Sequence, residues 1–153
     1  MALSNIEIDN FLREYAPHTY LNIYAYDQFD PTYCPYLPIS IVINAYPASI
    51  KMGHWMAVYI THDRNGSFFD SFGLTAWGKC KDFLARHCKV AYFNTLTLQQ
   101  NRISCGYHCV YFIFQMSKKL KMEQVLARYK HYSGSPDELV ITFWNKRQPG
   151  LKK

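Results

Sequence analysis

The sequence predicts a single α+β domain, with helices packed around a mainly antiparallel sheet. Three observations point there. The 153 residues suit one domain, and no repeat, low-complexity run or long linker divides them. Short β-branched apolar runs alternate with segments of helical spacing. One stretch, Cys105–Leu120, is apolar on nearly all sides, as a central buried helix is. Aromatic residues supply bulk for such a core: 13 Tyr, 10 Phe and three Trp.

Taken in order, Ile6–Tyr15 carries apolar residues at helical spacing, with Ser4 or Asn5 as its cap and Pro17 beyond its end. Tyr20–Tyr26 reads as a short strand, followed by a loop punctuated by Pro31, Pro35 and Pro38. Ile39–Ala45 is β-branched enough for a buried strand. His54–Thr61 and Ser67–Asp70 form a hairpin about the Asp63–Gly66 turn. Ala76–Cys88 has helical spacing, while Lys89–Phe93 and Thr95–Leu98 read as strands. After the buried helix, Met122–Tyr129 and Pro136–Asn145 are predicted helices, the second capped by Ser135 with Pro136 at its first position.

The composition also excludes classes. The strongly apolar run Val110–Phe114 is far short of the ~20 residues a membrane helix needs. The first residues lack a basic and then apolar leader pattern, so secretion is not expected. The five cysteines (34, 80, 88, 105 and 109) are odd in number and contain no CxxC, which argues for a reducing compartment over a disulfide framework. Cys and His are too scattered for a zinc site, so no metal is expected. The net charge of +6 is uneven: residues 1–117 hold eight basic and eight acidic residues, and residues 118–153 hold nine basic and three acidic ones. A solvated helical face explains that excess; a surface for DNA or another polyanion is the sharper alternative.

Three segments carry candidate chemistry: Gly53-His54-Trp55, Phe69-Asp70-Ser71-Phe72-Gly73, and the run from Gln99 to Cys105-Gly106. A cysteine in the first turn of a helix sits where the backbone N–H groups and the dipole favour a thiolate. His54 can take the Cys105 proton and return it to a leaving amine. Hairpin pairing brings Asp70 beside the His54 strand, where it is expected to accept the Nδ1–H. The Gln99 side-chain amide and the Cys105 backbone N–H are candidate oxyanion donors. Trp55 is expected to wall the site beside the imidazole, and Gly106 to leave it open. Taken singly, each residue has a plain packing or surface explanation; their order and spacing carry the signal.

That order, His, acid, Gln, Cys, resembles the adenain-like cysteine peptidases, the clan of the adenovirus endopeptidase and the ubiquitin-like-protein proteases. Asp70 stands 16 residues after His54, and Gln99 six before Cys105, as in that clan; Gln100 is one residue short. Phe69–Gly73 and the Asn22–Phe29 segment look most like the adenovirus, Polinton/Maverick, adintovirus and virophage branch. Ser104 replaces the Asp of the ubiquitin-like branch. The resemblance covers residues 5–117 of the single domain; the basic helical part, 118–153, matches nothing.

The resemblance implies a papain-like fold with Cys105 at the N-terminus of a buried helix. It implies Cys105, His54, Asp70 and Gln99 as catalytic residues, with Gly53, Trp55, Ser104 and Gly106 contacting substrate. The implied activity is a monomeric endopeptidase that matures capsid precursors at glycine-containing sites, in the virion and the infected-cell nucleus or cytoplasm. The alternative is an isopeptidase acting on ubiquitin-like conjugates. No cofactor is required by the sequence. By resemblance, DNA and an activating peptide are candidate cofactors, the latter through a disulfide at Cys88, which lies eleven residues before Gln99. A buried helix-end thiol is the plainer reading of Cys88.

Overall fold

The computed structural model describes residues 1–50 and 53–148. Its elements run α1 (Asn5–Tyr15), β1 (Tyr20–Tyr24), a 3-10 turn (Tyr26–Gln28), β2 (Ile39–Asn44), β3 (Trp55–Ile60), β4 (Asn65–Phe69), α2 (Gly78–His87), β5 (Val90–Phe93), α3 (Cys105–Ser117), α4 (Met122–His131) and α5 (Pro136–Arg147). The strands form one five-stranded sheet in sequence order. β2, β3 and β4 pair antiparallel, as expected. Both edges depart from that pattern, because β1 pairs β2 and β5 pairs β4 in parallel. A parallel neighbour needs a crossover, and the proline loop before β2 and helix α2 before β5 supply the two.

Strand alternation builds two cores. Val42, Ala57, Tyr59 and Phe69 face the layer made by α1, α3, α4 and α5. Ile39, Ile41, Ile43, Met56, Val58, Ile60 and Phe68 face the other side, where α2 contributes Cys80, Phe83 and Leu84. A sheet covered on both faces has strands buried at every position, as all six residues of β2 are.

Helix ends follow local chemistry. Ser4 Oγ accepts from the Glu7 N–H and Glu7 Oε1 accepts from the Ser4 N–H, a reciprocal cap on α1. Ser135 Oγ accepts from the Glu138 N–H and starts α5 ahead of Pro136. The buried helix stops at Ser117, short of Leu120, where Lys119 turns to a φ of 68°.

Two local expectations change. Thr95–Leu98 alternates like a strand but is a loop, because the Leu98 and Gln99 N–H groups both donate to Ser71 O. The hairpin turn also works differently: Arg64, with φ 65°, makes the left-handed step, and Gly66 already lies in β4 opposite Ile60. Gly66 serves packing instead, since a Cβ there would meet Cys88 Sγ and come within 3.1 Å of Leu84 Cδ2. Of the basic C-terminal residues, Lys152 and Lys153 lie outside the described residues. Arg147 lies over the Phe143 and Phe114 rings at 3.9 and 4.8 Å, and Lys118 over Phe114 at 4.9 Å. Among the described residues no helix is long and apolar enough to cross a membrane.

Gly66→Ala therefore overpacks the seam between β4 and α2. Urea denaturation should show a loss of about 1–3 kcal/mol, partly restored by adding Cys88→Ala. Wild-type stability in Gly66→Ala would mean that the helix gives way freely.

Candidate active site

The site forms where β3 begins and β4 ends. His54 immediately precedes β3, Asp70 immediately follows β4, and Cys105 opens α3. Antiparallel pairing of Ala57 with Phe69 brings the ends of the two strands together. Helix α3 is buried along nearly its whole length, so its first residue is fixed by its packing.

Asp70 Oδ1 lies 3.0 Å from His54 Nε2. This corrects the expectation of an Nδ1 partner. The carboxylate takes Nε2, which leaves Nδ1 as the other ring nitrogen; Cys105 also favours the charged imidazole. Asp70 is itself fixed: Oδ1 accepts the Phe72 N–H at 2.8 Å, and Asp70 O accepts from Asn94 Nδ2 at 2.9 Å. Burial opposes a charge on His54. The bonds to Asp70 and Cys105 outweigh it and push the imidazole up to about 9. The sign follows directly: a raised histidine contributes stability that is complete below about 6.5, its ordinary value, and lost as pH rises through about 9.

Gln99 is buried. Its Oε1 accepts from Ser71 Oγ at 2.6 Å, and its Nε2 donates to Asn101 O at 2.6 Å. The amide has two protons, so one remains for an acceptor. Ser71, the residue after Asp70, thus ties Gln99 to the end of β4.

A cleft of about 420 Å³ opens at Cys105, lined by Gly53, Trp55 and Gly106 and also by Leu3, Asn44 and Arg102. Trp55 serves this cleft, and the ring packed on the imidazole is Phe72, with centroids 5.0 Å apart. Gly106 is tighter than expected: a Cβ would come within 3.1 Å of Ile8 Cδ1 and 3.2 Å of Leu3 Cβ, so it lets α1 close on α3. At Gly53 a Cβ would strike the Asn44 side chain, which the Tyr46 N–H holds through Oδ1.

Ser104 does not face the cleft. Its hydroxyl turns inward and donates to Asp137 Oδ1 at 2.7 Å, satisfying a buried carboxylate. Cys88 is also remote from the site. It packs on the α2 side of the sheet, and burial pushes its thiol up to about 11. The sequence reading missed Phe72, Asn94, Asp137 and His108. Ser71 and Phe72 stood inside the Phe69–Gly73 segment, whereas nothing near Asn94, His108 or Asp137 in sequence marks them. Among the described residues no cluster of His, Cys, Asp or Glu could hold a metal ion.

No family model matches the chain, and no curated protein sequence does. Solved structures do. The ASFV pS273R protease superposes with a TM-score of 0.64 at 15% identity, covering 91% of this chain and 64% of that one. The chain has the adenain-like cysteine protease fold. A selenomethionine form of the same protease gives a TM-score of 0.58 over 91% of this chain and 65% of its own. The SUMO protease Ulp1 gives 0.49 at 13% identity, over 92% and 78% of the two chains. The chain thus spans just under two thirds of the ASFV protease, and this adenain-like domain is the part they share.

If His54 acts as an imidazolium, the alkaline limb of turnover falls near pH 9. Asp70→Asn should move that limb to lower pH and reduce the rate, though less than loss of Cys105. A limb unchanged in Asp70→Asn would separate the carboxylate from the histidine's charge.

Proposed function

We propose that this chain is a cysteine endopeptidase that processes structural precursor proteins of a virus or mobile element at glycine-containing sites. The observation that carries the proposal is His54 held between Asp70 and Cys105 at the start of a buried helix. Cys105 Sγ attacks the scissile carbonyl carbon as its proton passes to His54 Nδ1. The tetrahedral oxyanion is met by the Cys105 N–H, which as the first residue of α3 lacks a helical partner, and by the free Gln99 amide proton. His54 then protonates the leaving amine, and a thioester remains. Water attacks the thioester with His54 as base, releasing the acid and restoring the thiol.

Asp70 fixes the ring through Nε2 and favours its charged form. Phe72 shields the imidazole from water. The glycine-site reading rests on the resemblance of the motif segments, and Trp55 and Gly106 line the cleft at Cys105 that such a residue would enter. The precursor-processing reading is supported by the Phe69–Gly73 segment, which resembles the adenovirus branch.

Wild type and Cys105→Ala should be compared on glycine-containing peptides and on folded ubiquitin-like conjugates. The expected result is peptide cleavage by wild type, none by Cys105→Ala, and unchanged circular dichroism. Cleavage of folded conjugates alone would replace this reading with an isopeptidase, and full activity of Cys105→Ala would remove the nucleophile.

A further inference from the structure

The loop between Gln99 and Cys105 is irregular, yet one buried carboxylate holds it from behind. Asp137, in the first turn of α5, is 6% exposed. Its Oδ2 accepts the Gln100 and Asn101 N–H groups, both at 3.0 Å. Its Oδ1 accepts Ser104 Oγ at 2.7 Å and lies 2.8 Å from His108 Nε2. His108 is fully buried and its Nδ1 lies 2.8 Å from Tyr129 Oη. A carboxylate requires a donor, so Nε2 carries the proton and Nδ1 accepts from the phenol.

All four donors belong to the loop and helix that carry Cys105, at positions 100, 101, 104 and 108. An acidic residue in a helix's first turn is ordinarily explained by its own helix. Asp137 spends its oxygens on a different segment. Asn101 extends the chain of contacts, because its N–H is held by Asp137 and its carbonyl takes one proton of the Gln99 amide. Burial works against the Asp137 charge, but the bonds from His108, Ser104 and Gln100 hold the carboxyl below its usual range.

We infer that Asp137 is a positioning residue for the oxyanion loop: it fixes Gln100, Asn101 and Ser104 around Cys105 and, through Asn101, aims the Gln99 amide. The inference rests on the reading of Cys105 as a nucleophile. It assigns no contact between Asp137 and substrate.

Two chemistries at Cys105 test it. Alkylation by iodoacetamide forms an S–CH2 bond and expels iodide, and needs no oxyanion hole. A peptide aldehyde, acetyl-Gly-Gly-glycinal, adds the thiol across its carbonyl and does need one. The aldehyde's affinity is read from its protection of Cys105 against iodoacetamide. Asp137→Asn should alkylate close to the wild-type rate, lose roughly tenfold or more in aldehyde affinity, and show faster amide exchange at Gln100 and Asn101. Ser104→Ala, which removes one donor and leaves the carboxylate, should show a smaller loss of the same kind. Wild-type aldehyde affinity and exchange in Asp137→Asn would overturn the inference, as would equal losses of alkylation and protection. Failure of the aldehyde to protect even wild type counts against the glycine-site peptidase reading, and amide exchange then decides the role of Asp137.

Discussion

Phe112 of α3 lies face to face with Phe69 of β4, their ring centroids 4.6 Å apart and their planes 10° apart. Phe69 is the residue before Asp70, and Phe112 stands seven residues, about two turns, beyond Cys105. The stack thus ties the strand end that carries the carboxylate to the helix that carries the thiol. Cys109, Val110 and Ile113 are fully buried around it, so the helix cannot slide or roll without opening a cavity. His54 completes the set through β3, which is paired on both sides. His54 and Asp70 therefore stand at the ends of rigid strands, and Cys105 opens a buried helix. The geometry is set by packing rather than by loop conformation.

Two Asp–His pairs stand near the start of α3, and they are tuned in opposite directions. His54 is raised and His108 is lowered. Burial penalises both charges. His54 has Asp70 on Nε2 and the Cys105 side chain as a second partner, and together they favour its protonated form. His108 also has a carboxylate on Nε2, but Tyr129 donates to its other nitrogen and so satisfies the neutral ring. One pair is therefore suited to moving a proton, and the other to standing still.

Much of this was legible in the sequence because it rests on local pattern. The apolar run of α3, the cap of α5 and the β-branched apolar run of β2 each follow from short-range chemistry, and the His54, Asp70, Gln99, Cys105 order stands out against them. The errors came where tertiary contacts decide. Gly66 looked like a turn glycine and is instead a packing glycine under Cys88. Thr95–Leu98 alternates like a strand, yet its backbone is claimed by Ser71 and the Asn94 side chain. Ser104 seemed to belong to the cleft, and Asp137, 33 residues away in sequence, draws it inward. The choice of Nε2 for Asp70 depends on ring orientation, which no spacing encodes.

His54 is coupled electrostatically to Cys105 as well as to Asp70. An NMR titration of the His54 imidazole in wild type and in Cys105→Ala tests it most directly. Titration is expected near pH 9 in wild type and at a lower pH once the thiol is removed. An identical midpoint in the two proteins would contradict it.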